Sequence, residues 1–284
     1  MNVGIVGLGL IGGSIGRTLV KKTEHKVFAF DKDPKSLLMG ELLGAFSEKL
    51  SDENIGKIDL LVLSLYQGTV IKVLEDYLPK LKDGAIVMDI CGNKRTICNR
   101  LKEFSRKYPN LEFISSHPMA GKEFSGIKHS SVNLFDRASM ILVPVKADIR
   151  SVKKIKELSL QMGFSSAIIS TSEEHDKIIA FTSQLAHVIS SAYVKSPTAS
   201  EFLGFSAGSF RDMTRVAKLS PSMWTELMID NKDNLVREID YLISNLKDYK
   251  DAIEKADEVT LFNLLEDGNL KKQNYEKLKN KKTD

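Results

Sequence analysis

Five histidines occur in 284 residues. One of them, His117, stands in SSHPMAG, directly after the apolar run EFIS. An imidazole titrates near neutral pH, so at a strand end it can accept the proton of a hydroxyl whose carbon is being oxidised. The segment CGNK places Asn93 on a neighbouring strand end, with an amide that both donates and accepts. Further along, GSFRDMTR carries Arg211 and Arg215 at four-residue spacing. Their planar donor forks suit carboxylates, and on a helix both can face one side. EEHD and SQLAH add His175 and His187. Twelve residues apart on one helix, these rings would point roughly 120° apart and are not expected to share a task. His25 and His129 read as surface residues, and Trp224 as core or cleft wall.

A second constellation lies at the N-terminus. GLGLIGGS presents GxGxxG as Gly7, Gly9 and Gly12, with Leu8, Leu10 and Ile11 between them, after a short strand and at the start of a helix. In this context the first glycine permits a tight turn, the second lets a pyrophosphate approach the backbone, and the third allows close helix–strand packing. The helix N-terminus offers N–H groups and a positive dipole end to phosphates. Asp31 ends the second strand, where a carboxylate accepts ribose hydroxyls and repels a 2′-phosphate, so NAD is expected over NADP. Ser64, opening SLYQG at another strand end, joins this cofactor set.

The elements that must position these groups alternate. NVGIVG, KVFAFD, DLLVLSL, GAIVMDIC, EFISSHP, SMILVPV and SAIIST read as strands, most of them separated by helical patterns. This order predicts an α/β Rossmann-type doubly wound parallel sheet. Strands stop near residue 171. The long helical patterns that follow, 173–194 and 221–256, predict an all-α C-terminal domain, giving domains 1–171 and 172–284. Ligands of such a sheet bind outside the carboxyl ends of the strands, where SLYQG, CGNK and SSHPMAG would meet.

Composition limits the alternatives. Hydrophobic residues make up 42 % and charged residues 27 %, as in a globular protein rather than a disordered one. The net charge of +4 owes much to the terminal KKQNYEKLKNKKTD, read as a solvated end, so no nucleic-acid partner is expected. Two cysteines without CxxC spacing suggest neither a zinc site nor a disulfide framework, and no metal is expected. No apolar run is long enough to span a bilayer, and a cytoplasmic address is expected.

Taken together, GLGLIGGS, Asp31, SHPMAGKEFSG, EEHD…SQLAH and FRDMTR…PSMW resemble the prephenate dehydrogenase family, in the family's own order, from residue 1 to about 250. The resemblance implies a Rossmann domain, a helical domain that forms a homodimer, and NAD-dependent oxidative decarboxylation of prephenate. It also implies that His117 is the catalytic histidine and that Arg215 holds a substrate carboxylate. His175 and His187 would line the substrate cleft. Asn93 stands where the family usually has serine. Arogenate dehydrogenase is the near rival, and Glu123 or Glu201 could meet arogenate's ammonium. A β-hydroxyacid dehydrogenase would need a catalytic lysine, for which Lys177 and Lys195 are available. A dinucleotide sensor without turnover is the non-enzymatic alternative.

Overall fold

The computed structural model describes residues 1–122, 124–202, 204–205 and 208–280. Eight strands form one sheet in the order β3-β2-β1-β4-β5-β6-β7-β8. They are β1 (Asn2–Val6), β2 (Lys26–Phe30), β3 (Glu48–Lys49), β4 (Leu60–Leu63), β5 (Ile86–Asp89), β6 (Glu112–Pro118), β7 (Ser139–Lys146) and β8 (Ser166–Ile169). The crossover helices are α1 (Leu10–Lys22), α2 (Pro34–Leu42), α3 (Gln67–Tyr77), α4 (Arg95–Lys107) and α5 (Ile149–Gln161).

The sheet is parallel except where β7 runs antiparallel to β6. The sequence signals did not separate these two orientations. β3, two residues long, carries no apolar signature and was not anticipated. The central strands are apolar on both faces because helices cover both. Ile5, Leu60 and Ile114 face one core with Leu19 and Ile155. Leu61, Val87 and Phe113 face the other with Leu74 and Leu101. Local chemistry starts the helices. Asp33 caps α2 through Lys35 N–H and Ser36 N–H, with Pro34 in the first turn.

Strands end at Ile169, and α6 (Ser172–Ile179), α7 (Ala186–Tyr193), α8 (Gly208–Thr214), α9 (Pro221–Asp230), α10 (Lys232–Glu254) and α11 (Glu258–Asn280) follow. The chain divides into two compact units, Met1–Lys232 and Asp233–Asp284. The division thus lies beyond the change of secondary structure near residue 171. Ties from α4 to α6 and α9, described below, hold the first helices to the sheet.

Two expected helices are broken. Between α6 and α7 the chain takes a π-helical course, Ala180–Leu185. Between α9 and α10 it breaks at Asn231, whose buried side chain donates to Asp176 O and to Gln184 Oε1. The lysine-rich end, expected to be frayed, is helical as far as Asn280. Exposed i,i+4 pairs line it, Lys271–Asp267 at 2.5 Å and Lys272–Glu276 at 3.1 Å, each contributing about 0.3–0.5 kcal/mol.

Candidate active site

The glycine turn joins β1 to α1 at the point where strand order reverses between β1 and β4. Gly7 has φ +96°, and a Cβ there would lie 2.3 Å from Ser64 O. A Cβ on Gly12 would lie 2.0 Å from Gly7 O and 2.8 Å from Ser64 Oγ. These two glycines are demanded by the protein's own packing. Gly9 is different, because a Cβ there would meet nothing within 4 Å. The space beside Gly9 is open, as close approach of a pyrophosphate requires.

Asp31 accepts Leu8 N–H at 2.7 Å and Asp33 N–H at 2.9 Å, so its carboxylate is fixed beside the turn. The side chain of Leu8 is buried, which leaves its backbone as the part near a ligand. Gly9 caps α1 without a side-chain hydrogen bond, and Leu10, Ile11 and Gly12 form the first turn behind it. First-turn N–H groups have no partner within a helix. Ser64 is bonded to β1 through its own N–H and Val6 O, and its side chain packs on Gly12. This cradle fits a dinucleotide diphosphate and its ribose.

His117 lies near the end of β6, half-buried, with its Nδ1 2.9 Å from His175 Nε2. His175 is buried, and its Nδ1 lies 2.8 Å from Asp176 Oδ1. Burial of Asp176 would raise its pKa. Hydrogen bonds from His175 and from the N–H groups of Arg95 and Lys94 outweigh that and hold the carboxyl below its ordinary value. Burial also pushes His117 well below the ordinary histidine value, with further lowering from His175 and the Lys94 charge. His175 is lowered by burial too, even against the hydrogen bond to Asp176.

Lys94 was not among the expected site residues. It is fully buried, and its Nζ donates to Asp89 Oδ2 at 2.7 Å, Ser115 Oγ at 2.9 Å and Ser116 O at 2.7 Å. Ser115 in turn donates to Asp89 Oδ1. Lys94 is also the N-cap of α4. A cation opposes the helix dipole there, which is the one signal that could have pointed to it.

Asn93 does not take the expected place beside the imidazole. It is fully buried, and its Nδ2 donates to Leu227 O at 2.8 Å and Asp230 Oδ2 at 2.9 Å. Its Oδ1 accepts from Gln184 Nε2 at 3.0 Å. With both amide ends committed, Asn93 is corrected from a catalytic group to a tie between α4, the π segment and α9.

The expectation for the two later histidines also changes. The π segment shifts the helical phase by about one residue, or about 100°, which offsets most of the 120° separation of an ideal helix. His175 meets His117 rather than an open cleft. His187 is half-buried, donates from Nδ1 to Val216 O at 2.9 Å, and packs on Trp224 with ring centroids 3.7 Å apart. Burial lowers the pKa of His187, and the nearby Arg215 charge lowers it further. Arg215 starts a short 3-10 turn, Arg215–Ala217, just after α8. Arg211 is exposed on α8 itself, so the two do not share one continuous helix. Glu201 is exposed, and Glu123 lies outside the described residues. Lys177 and Lys195, the lysines available to the β-hydroxyacid reading, are both exposed. Among the described residues no cluster suits a metal ion, and no helix is long and apolar enough to cross a membrane.

A glycine turn at the reversal of strand order, an acid at the end of β2 and a buried-edge imidazole on β6 define an NAD-dependent oxidoreductase. The family model for the nucleotide-binding domain of prephenate dehydrogenase matches residues 15–167, and that for its dimerization domain matches residues 171–267. The chain belongs to the prephenate dehydrogenase family. It is 30 % identical to the cyclohexadienyl dehydrogenase of Zymomonas mobilis, over 90 % of this chain and 89 % of that one. It is 27 % identical to the prephenate dehydrogenase of Bacillus subtilis, over 91 % of this chain and 71 % of that one. The structure of Aquifex aeolicus prephenate dehydrogenase with hydroxyphenyl propionate and NAD+ is also similar. Its TM-score is 0.84 at 27 % identity, covering 97 % of this chain and 98 % of that one.

Proposed function

We propose that this chain carries out the oxidative decarboxylation of prephenate to 4-hydroxyphenylpyruvate with NAD, with His117 as the base. The observation that carries this reading is the placement of His117 at the carboxyl edge of the sheet, its Nδ1 engaged by His175. Its Nε2 is then the nitrogen that meets substrate. Gly7, Gly9, Gly12, the first turn of α1, Asp31 and Ser64 would hold the dinucleotide. NAD, when bound, accepts the hydrogen and electron pair from the ring carbon that bears the hydroxyl.

His117 Nε2 takes the hydroxyl proton as that carbon becomes a carbonyl. Loss of the ring carboxylate as carbon dioxide then sends its electron pair into the ring, which becomes aromatic, and the phenolate oxygen takes the proton back from His117. Burial lowers the pKa of His117, which favours the neutral imidazole over the imidazolium before the proton is taken. Arg215 and His187, close enough to interact, are the groups we assign to the substrate's side-chain carboxylate. Fixing that end orients the ring, a positioning effect. Arg211 is assigned at most an outer contribution.

The reading treats residues 1–171 as the cofactor domain and 172–284 as the substrate and dimerisation domain, in a cytoplasmic homodimer. Exposed apolar residues on α10 and α11, among them Ile243, Leu246, Phe262 and Leu265, support the dimer. Sedimentation of the purified protein tests it.

The activity test offers prephenate and arogenate side by side and follows NADH absorbance. Turnover of prephenate, falling about 10²- to 10⁴-fold in His117→Asn, is the expected result. Preference for arogenate would move the assignment to the rival substrate. Turnover of neither would overturn the reading.

A further inference from the structure

We propose that Asp176 and His175 are positioning residues that set the tautomer of His117, so that its Nε2 carries the lone pair. This rests on the assignment of His117 as the base.

The logic follows hydrogen-bonding capacity alone. An ionised carboxylate only accepts. Asp176 Oδ1 lies 2.8 Å from His175 Nδ1, so that nitrogen holds the proton. A neutral imidazole then has an acceptor at its other nitrogen. His175 Nε2, 2.9 Å from His117 Nδ1, must accept, and His117 must donate from Nδ1. The remaining nitrogen of His117 is bare. Which ring nitrogen of a histidine is protonated is set by the bond the other makes, and here the instruction is passed through a second ring.

The first member of the chain is itself anchored. Asp176 also accepts Lys94 N–H at 2.7 Å and Arg95 N–H at 2.9 Å, the first backbone donors of α4. The helix terminus favours a negative charge at this place, and Asp176 is buried where it cannot swing away. The charged groups around His117 are therefore the Lys94–Asp89 pair beneath it and Asp176 behind His175. When His117 takes a proton, His175 still accepts from Nδ1 and hands polarisation on to Asp176. No second proton transfer is needed.

Five histidines make the test tractable, because substitution assigns each resonance. Protein labelled with 15N-histidine is observed by long-range proton–nitrogen correlation at neutral pH. In the wild type, His117 is expected to show a protonated Nδ1 and a bare Nε2. In His175→Met that preference is expected to collapse toward Nε2–H, with kcat falling about 10- to 100-fold and KM for NAD unchanged. In His175→Gln an amide oxygen can still accept from Nδ1, so the tautomer and part of kcat are expected to return.

A wild-type His117 protonated at Nε2 would overturn the proposal without His175→Met needing to fold. So would an unchanged tautomer and kcat in His175→Met. The expected tautomer in a protein that turns over neither substrate would leave the relay standing and sink the assigned reaction instead.

Discussion

A Cβ on Gly7 or Gly12 would strike a backbone oxygen at 2.3 or 2.0 Å. His117, by contrast, is held by no shortage of space. It is held by a chain of side chains that runs through His175 and Asp176 to the start of α4. The half assigned above to the cofactor is shaped by backbone, and the half assigned to proton handling by compensating charges. A backbone-built site depends on few residue types and tolerates variation around them. A charge-built site fails when any one member loses its partner, because a buried charge left alone is costly.

The largest break in this contrast is expected at Asp89. In Asp89→Asn the Lys94 ammonium stays buried with no counter-charge. The expected loss is about 3–5 kcal/mol of stability, read by chemical denaturation. Replacing both members, Asp89→Asn with Lys94→Met, is expected to recover much of that loss, because no charge is then stranded. A loss under about 1 kcal/mol in the single variant would mean that solvent reaches Lys94 and that charge compensation is not what builds this half.

A subtler break separates the glycines. Gly9→Ala meets no atom of the protein, so its melting temperature is expected to match the wild type. The added methyl intrudes where a pyrophosphate must come close. The expected cost is about 1–3 kcal/mol of NAD affinity, or about 5- to 150-fold in Kd, measured by titration calorimetry. Unchanged affinity would show that the dinucleotide does not lie against Gly9. Lower thermal stability would show that Gly9, like Gly12, serves the fold.

The same contrast explains what the sequence made legible. Gly7, Gly9, Gly12 and Asp31 stand out in the sequence because a backbone site needs rare residue types at fixed local spacing. His117 stands out because an imidazole at a strand end is chemically conspicuous. Lys94, Asp89 and Asp176 were missed because their meaning comes from contacts across 5 to 82 positions of sequence separation. Apart from the cation at the N-cap of α4, no local pattern distinguishes them from surface charges. Asn93 misled for the same reason: its neighbourhood in sequence is the site, but its amide is consumed by Leu227, Asp230 and Gln184. The π segment was illegible because a helical apolar pattern does not record one wide turn. The antiparallel β7 was equally hidden, since apolar runs carry no direction.

The smallest expected effect concerns pH. Burial lowers the pKa of His117 and His175 in the folded protein, and Lys94 adds to this for both. Between those lowered values and the unfolded value of about 6.5, the unfolded chain binds more protons than the folded one. Stability therefore rises with pH through that window and falls as pH drops below about 6.5. Denaturation midpoints taken at neutral and mildly acidic pH should record this slope, and His117→Asn should flatten it. The acid limb of kcat/KM reports the base in the free enzyme, so its midpoint is expected well below 6.5. An acid limb at or above the ordinary histidine value would mean that His117 is not desolvated as this packing requires. The proton-handling half would then be open to water, as the cofactor half is at Gly9, and the contrast between the two would fail.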